Sequence, residues 1–327
     1  MDQYLIDRLQ NFTLNRKIIS IHSEDRDTIK YPHPNTFEIF TPQTYNSVES
    51  IRLLNIQIPN KLYNISEYLQ NNKMTIIIDN SGTQHELEII LNDGYYEPET
   101  LKESLHDLIY EKILSKFTDH TEDDFKIEYN VVINKFLFVS NKYSFTIYFQ
   151  DSELNCLKTN NNYPNLKNIL GFKNNTQTTI NTSELSNNYY YFNDDHYCIL
   201  SDYTLNLNIN NYIYMEIEKY NTCDELIPYL TQKYTNVNNG IINSYFAKIP
   251  IIKSDYNQSF SGKFNYNESL SYYQPPIERI SKFKFKFRYH DGRLVDFQNY
   301  NFSFDLEINQ IRNEIKNYDV RKPFTVP

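Results

Sequence analysis

The chain has 327 residues, a formal net charge of -9 and a sequence pI near 5.3. That length allows a large core and about two domains, while the acidic balance argues against phosphate-driven nucleic-acid binding, which needs many Lys and Arg contacts. With 30 Tyr and 21 Phe against 6 Gly and no Trp, the composition suits pleated sheets rather than disorder, despite a mean hydropathy of -0.64.

No apolar run reaches the roughly 18 residues of a membrane span, and MDQYLIDRLQNF lacks the basic-then-apolar order of a secretory signal. Cys156, Cys198 and Cys223 are widely spaced and odd in number, so reduced, mostly buried thiols and folding in the cytoplasm are expected.

In chain order, residues 1–16 read as an N-terminal arm and IISIHS as the first strand, with a turn at Asp25–Asp27. Phe37 and Ile39 share one face of YPHPNTFEIF, and a second long strand follows through Val48, Ile51, Leu53, Ile56 and Ile58. The parity change between Val48 and Ile51 signals a bulge or a sheet buried on both faces. MTIIID and HELEIIL form a hairpin across Asn80-Ser81-Gly82. From Pro98, the residues Leu101, Leu105, Leu108, Ile109 and Ile113 recur at helical spacing. FKIEYNVVI, KFLFVS and FTIYF read as three strands, and NLKNILGF as a helical turn stopped by Gly171. The resulting ββαβββ order predicts a single sheet with a helix on one face.

Residues 173–195, rich in Asn, Thr and Ser, read as a linker. Strands return in HYCILSD, NYIYMEIEK, NSYFAKIPI, KFKFKFRY and NFSFDLEI, with a helix expected over 224–233. Two all-β segments flanking a self-contained unit are most simply one β-sandwich carrying an insertion. The expected organisation is an arm (1–16), a first sandwich segment (17–71), an inserted α+β domain (72–172), a linker (173–195), a second sandwich segment (196–310) and a C-terminal tail (311–327). The sandwich core is expected to include Ile51, Leu53, Ile213, Met215, Phe285, Phe287 and Phe304.

The most conspicuous motif is KFKFKFRY, where Lys282, Lys284, Lys286 and Arg288 alternate with Phe283, Phe285, Phe287 and Tyr289. Rings and cations together suit a single-strand nucleic-acid groove. In a strand, however, alternation sends the rings to one face and the cations to the other, and rings that fill a core cannot stack on bases. The amphipathic strand is the favoured reading, with Asp291-Gly292 turning the chain beyond it. The four cations then become a row for docking an acidic neighbour, or a guard against edge-to-edge pairing.

Other chemistry is weakly signalled. The histidines show no short metal spacing, and His22-Ser23-Glu24-Asp25 is adjacency in sequence rather than a triad. Asp123-Asp124 and Asp194-Asp195 could bind Ca²⁺ or act as acid and base, but polar turns are their simpler reading. The glycines are too far apart for a phosphate-binding loop. No catalytic residue, cofactor or metal is expected.

Several short motifs carry a resemblance. Ser23-x-x-Arg26-Asp27, Pro34-Asn35-x-Phe37, Val48-x-Ser50-Ile51-x-Leu53 and Ile58-Pro59-Asn60 are similar to those of minor capsid and other virion proteins of nucleocytoplasmic large DNA viruses. So are Asp93-Gly94-Tyr95, Leu170-Gly171-Phe172, Pro275-Pro276-Ile277 with Ile280-Ser281, and Asp291-Gly292; His22 stands where that family has an acid. The resemblance implies a jelly-roll-like sandwich and a non-enzymatic capsid role in the virion, with assembly in the host cytoplasm. It also implies major and other minor capsid proteins as partners, allows self-association, and leaves no direct role for nucleic acid. Arg26, Asp27, Pro275 and Pro276 are expected to fix turns, Arg26 by pairing with the flanking acids. The Tyr- and Asn-rich loops at 157–195 and 231–243 suit polar interfaces. Two rivals remain: a hydrolase using His22 and its acids, and a carbohydrate-binding receptor module with Tyr189–Tyr191 as its platform.

Overall fold

A computed structural model describes residues 13–59, 62–80, 82–150, 165–185, 195–208, 210–226, 242–251, 259–263 and 270–312. Its strands are β1 (Thr13–His22), β2 (Thr36–Pro59), β3 (Lys73–Asn80), β4 (Thr83–Ile90), β5 (Phe125–Asn130), β6 (Lys135–Ser140), β7 (Ser144–Tyr148), β8 (Thr176–Thr178) and β9 (Ile180–Asn181). They continue with β10 (Tyr197–Leu200), β11 (Tyr212–Ile217), β12 (Cys223–Leu226), β13 (Ile242–Tyr245), β14 (Ala247–Pro250), β15 (Ser259–Lys263), β16 (Leu270–Arg288) and β17 (Ser303–Arg312). Helix α1 (Pro98–Leu114) lies between β4 and β5, and the short α2 (Leu166–Leu170) between β7 and β8. The chain is mainly β and every strand pairing among the described residues is antiparallel. It divides into two compact units, one of 1–61, 210–232 and 237–327, the other of 62–209 and 233–236.

In the first unit the strand order is β1-β17-β2-β16-β11-β14, with β15 also on β2. Phe285 pairs with Phe37, whereas Phe304 pairs with Ile56, nineteen positions further along the same strand β2. Were β2 straight, those positions would lie about 60 Å apart. The Phe285 and Phe304 ring centroids are nevertheless 5.0 Å apart. The sheet therefore curls until its two ends face each other, and it forms both layers of a sandwich. Its irregularities cluster near one stretch. Ser47 has φ of +52°, Glu49 is skipped between the pairs Asn309–Ser50 and Gln310–Val48, and β16 loses register between Tyr272 and Ile277. The change of parity expected between Val48 and Ile51 is this bulge.

The interior is aromatic. Phe37, Phe285, Phe287, Phe302 and Phe304 make mutual ring contacts at 4.9–6.5 Å. All seven expected core residues are buried. Burial of an aromatic side chain typically contributes about 2–3 kcal/mol.

The second unit has its own core, in which Leu101, Leu105, Ile109 and Ile113 of α1 join Ile76, Ile78, Phe136 and Phe138. Pro98 opens α1, and Thr100 accepts the Glu97 backbone N–H at 2.9 Å in a capping box. Its strands form two four-stranded sheets, β4-β3-β7-β8 and β5-β6-β10-β9, rather than the single sheet expected.

Five further expectations are corrected. Residues 173–195 are not a plain linker, since Thr176–Thr178 and Ile180–Asn181 are strands. Both are sheet edges, where polar Thr and Asn are tolerated and imitate a loop in composition. Tyr197–Leu200 pairs with β6 in the second unit, so the first unit resumes at 210 instead of 196. Asp224–Leu226 belongs to β12, not to a helix; the rest of the expected helix lies outside the described residues. Residues 36–59 are one strand, and the arm and tail lose 13–16 and 311–312 to β1 and β17.

Candidate functional site

Phe283, Phe285 and Phe287 of β16 and Tyr289 just beyond it are all buried, which makes the alternating motif an amphipathic strand. The opposite row is exposed at its lysines, with side-chain exposures of 56% for Lys282, 45% for Lys284 and 42% for Lys286. Each lysine meets a carboxylate of this same chain. Lys282 lies 3.3 Å from Glu38, Lys284 2.8 Å from Glu218 and Lys286 3.3 Å from Glu216. The hydrogen bond and charge of Glu218 raise the Lys284 pKa, and Lys284 lowers that of Glu218 in return. The surface is a ladder of cross-strand ion pairs, mixed in sign rather than simply cationic.

Arg288 does not belong to that surface. It is fully buried, its guanidinium pairing with Glu216 and, at 3.0 Å, with Glu225 on β12. The cation also lies 4.9 Å from the Tyr214 ring centroid. Burial first, and then the charge of Glu225, push the Tyr214 phenol up to about 12. His290 Nδ1 meets the other Glu225 oxygen, so Glu225 ties β12 to the end of β16. The reading of Arg288 as a docking residue is therefore corrected to an internal strut, because a planar cation paired with the buried Glu225 and the part-buried Glu216 is held inward.

The turn residues act on backbone. Arg26 donates to the carbonyls of Ser23 (2.7 Å), Tyr31 (3.0 Å) and Pro32 (3.1 Å) and to Asn301 (2.9 Å), rather than to Asp25 or Asp27. Asp27 accepts from the Ile29 and Lys30 N–H groups at 3.0 and 3.1 Å. Asn35 donates to the Val295 carbonyl at 3.0 Å. Pro275 and Pro276 sit inside β16, which starts at Leu270, within the stretch where it loses register with β2. They interrupt pairing instead of opening the strand, as expected of residues without a backbone N–H.

The rival chemistries find little to build on. His22, Glu24 and Asp25 are all exposed, and the buried Ser23 hydroxyl accepts the Phe302 N–H at 2.8 Å. Asp123 pairs with Lys126, while Asp124 accepts the Thr121 N–H. No group of three or more His, Cys, Asp or Glu among the described residues could hold a metal. Cys198 is buried and Cys223 half-buried, both free, and burial pushes the Cys198 thiol up to about 11. Tyr189–Tyr191, Asp194 and Cys156 lie outside the described residues. No described helix is long and apolar enough to cross a membrane.

One concavity escaped the sequence reading. A groove of about 600 Å³ beside α2 in the second unit is lined by Lys167, Asn168, Lys173, Asn174, Asn175 and Tyr203, among others. Lys167 is only 8% exposed, and its ammonium donates to Asn175 Oδ1 at 2.8 Å. In sequence these positions are an ordinary polar run, and only the fold brings Tyr203 to them.

A curled antiparallel sandwich, a second α+β unit and motif residues engaged in backbone turns define a β-rich protein whose distinctive residues build the frame. No protein-family model and no curated protein matches the chain. Among solved structures, the mavirus penton protein aligns over 92% of this chain and 100% of its own, at 12% identity and a TM-score of 0.43. A Sputnik virophage structure determined by cryo-EM aligns over 94% and 99%, at 11% identity and a TM-score of 0.46. At these identities the likeness assigns no residue and no activity.

Proposed function

We propose that this protein is a non-enzymatic structural component of a large DNA virus particle, a minor capsid protein that docks to major and other minor capsid subunits. One observation carries the reading: the motif residues that resemble those of virion proteins hold backbone in place or fill the core. Arg26 ties three carbonyls, Asp27 and Asn35 bind backbone groups, and Phe37, Val48, Ile51 and Leu53 are fully buried. Residues that set shape fit a protein whose work is to present surfaces.

In this reading Lys282, Lys284 and Lys286 form the docking row, interleaved with Glu38, Glu216 and Glu218. The complementary partner surface is then mixed in charge, and its contacts weaken as salt screens them. Stepwise salt extraction of purified particles of the encoding virus, followed by quantitative proteomics, tests this. The expected result is a particle-bound chain released at elevated salt before the shell breaks. Absence from the particle overturns the capsid role. Release only on full disruption keeps that role and removes the lysine row from it.

A further inference from the structure

We propose that the groove beside α2 binds an acidic saccharide, with Lys167 as its anion-holding residue. The case begins with a charge in an unusual place. Lys167 is buried to more than nine-tenths, yet its partner among the described residues is a neutral amide, Asn175 Oδ1. No carboxylate lies within ion-pair distance of it among those residues. Burying an ammonium against a neutral acceptor alone is costly, and the group keeps further N–H donors that the amide does not use. A ligand anion in the groove supplies what the protein withholds.

The rest of the lining narrows the ligand. Lys173 is exposed at the rim, and its backbone N–H donates to Asp202 Oδ2 at 2.8 Å. Two cations and one engaged carboxylate leave room for about one net negative charge, as on a uronate, a sialic acid or a sulfate ester. Asn174 lines the groove with a side-chain amide able to donate and to accept, the pattern that neighbouring hydroxyls satisfy. Tyr203 is 59% exposed and offers a ring to the apolar face of a sugar. The floor is set in advance. Gly171 has φ of +81°, and a Cβ there would fall 2.2 Å from the Tyr203 carbonyl oxygen. The missing side chain lets the Tyr203 N–H reach the Gly171 carbonyl at 2.7 Å, which holds Tyr203 against the end of α2. Preorganisation of this kind lowers the entropic cost of capture.

Isothermal titration of the full chain provides the test, with 3′-sialyllactose and a sulfated heparin disaccharide as probes and lactose, inorganic sulfate and hexaglutamate as comparators. At least one acidic saccharide should bind about tenfold tighter than lactose and than either simple anion. Lys167→Met should reduce that affinity about tenfold or more, and Tyr203→Ala likewise. If Lys167→Met does not fold, the exposed Lys173→Met should show the same loss. The proposal is overturned if neither acidic saccharide binds, or if lactose, sulfate or hexaglutamate binds as tightly. Wild-type affinity in the lysine variants that fold overturns it too.

Discussion

His120 has a buried side chain whose two ring nitrogens complete no hydrogen bond among the described residues, beside Tyr143, whose buried hydroxyl completes none there either. Its ring lies between Tyr110 and Tyr143, at 5.4 and 5.9 Å. Asp124 is 3.5 Å from Nδ1 without completing a hydrogen bond. Burial lowers the imidazole pKa; the charges of Asp124 and Asp119 raise it, those of Lys142 and His106 lower it, and burial prevails. Such a histidine stays neutral in the folded chain while the unfolded chain takes up a proton. Stability is therefore complete above the ordinary histidine value of about 6.5 and declines as pH falls through it. Urea denaturation between pH 7.5 and 5 should show a falling midpoint, and His120→Phe should flatten that slope. An unchanged slope would place the titration elsewhere. None of this was legible in the sequence, where His120 is one of seven scattered histidines. Desolvation belongs to the packing of α1, the turn after it and the residue before β7.

At the scale of elements, β16 was the most readable stretch, because a period of two survives any tertiary context. Its ring face and its lysine face both follow from KFKFKFRY. What alternation cannot register is depth: Arg288 continues the lysine row and lies where β12 covers it. The strand thus predicts its own gradient. Arg288→Met leaves Glu216 and Glu225 without their buried cation and should cost roughly 3–5 kcal/mol in denaturant unfolding. Lys284→Met, at an exposed pair, should leave the unfolding midpoint unchanged within error. Equal effects would refute the distinction between strut and surface. Elsewhere the local signal failed where neighbours decide. Polar β8 and β9 read as linker because edge pairing needs little apolar content, and β12 read as helix because its Glu225 answers to Arg288 and His290 rather than to its own segment.

For the whole molecule, the sequence correctly conveyed strands, then an α+β stretch, then strands. The boundaries moved because a change in composition does not mark which sheet a strand joins. Among the described residues, the second unit's core draws on those between Ile65 and Leu207. We expect residues 62–208, expressed by themselves, to unfold cooperatively with protected amides in β3, β6 and α1. A molten, unprotected fragment would mean that this core depends on the remainder of the chain.

Strand β2 spans 24 residues and hydrogen-bonds with β15, β16 and β17, so it contributes to every layer of the curled sheet. A substitution there disturbs one site. Loss or gain of a single codon would be different in kind, since a one-residue slip turns each later side chain to the opposite face. Phe37 and Ile56 could not then both face inward, and three neighbouring ladders would lose register together. In-frame length changes should therefore be lethal to folding within 36–59, yet accommodated in surface connections. One long strand makes this curled sheet tolerant of spelling and intolerant of counting.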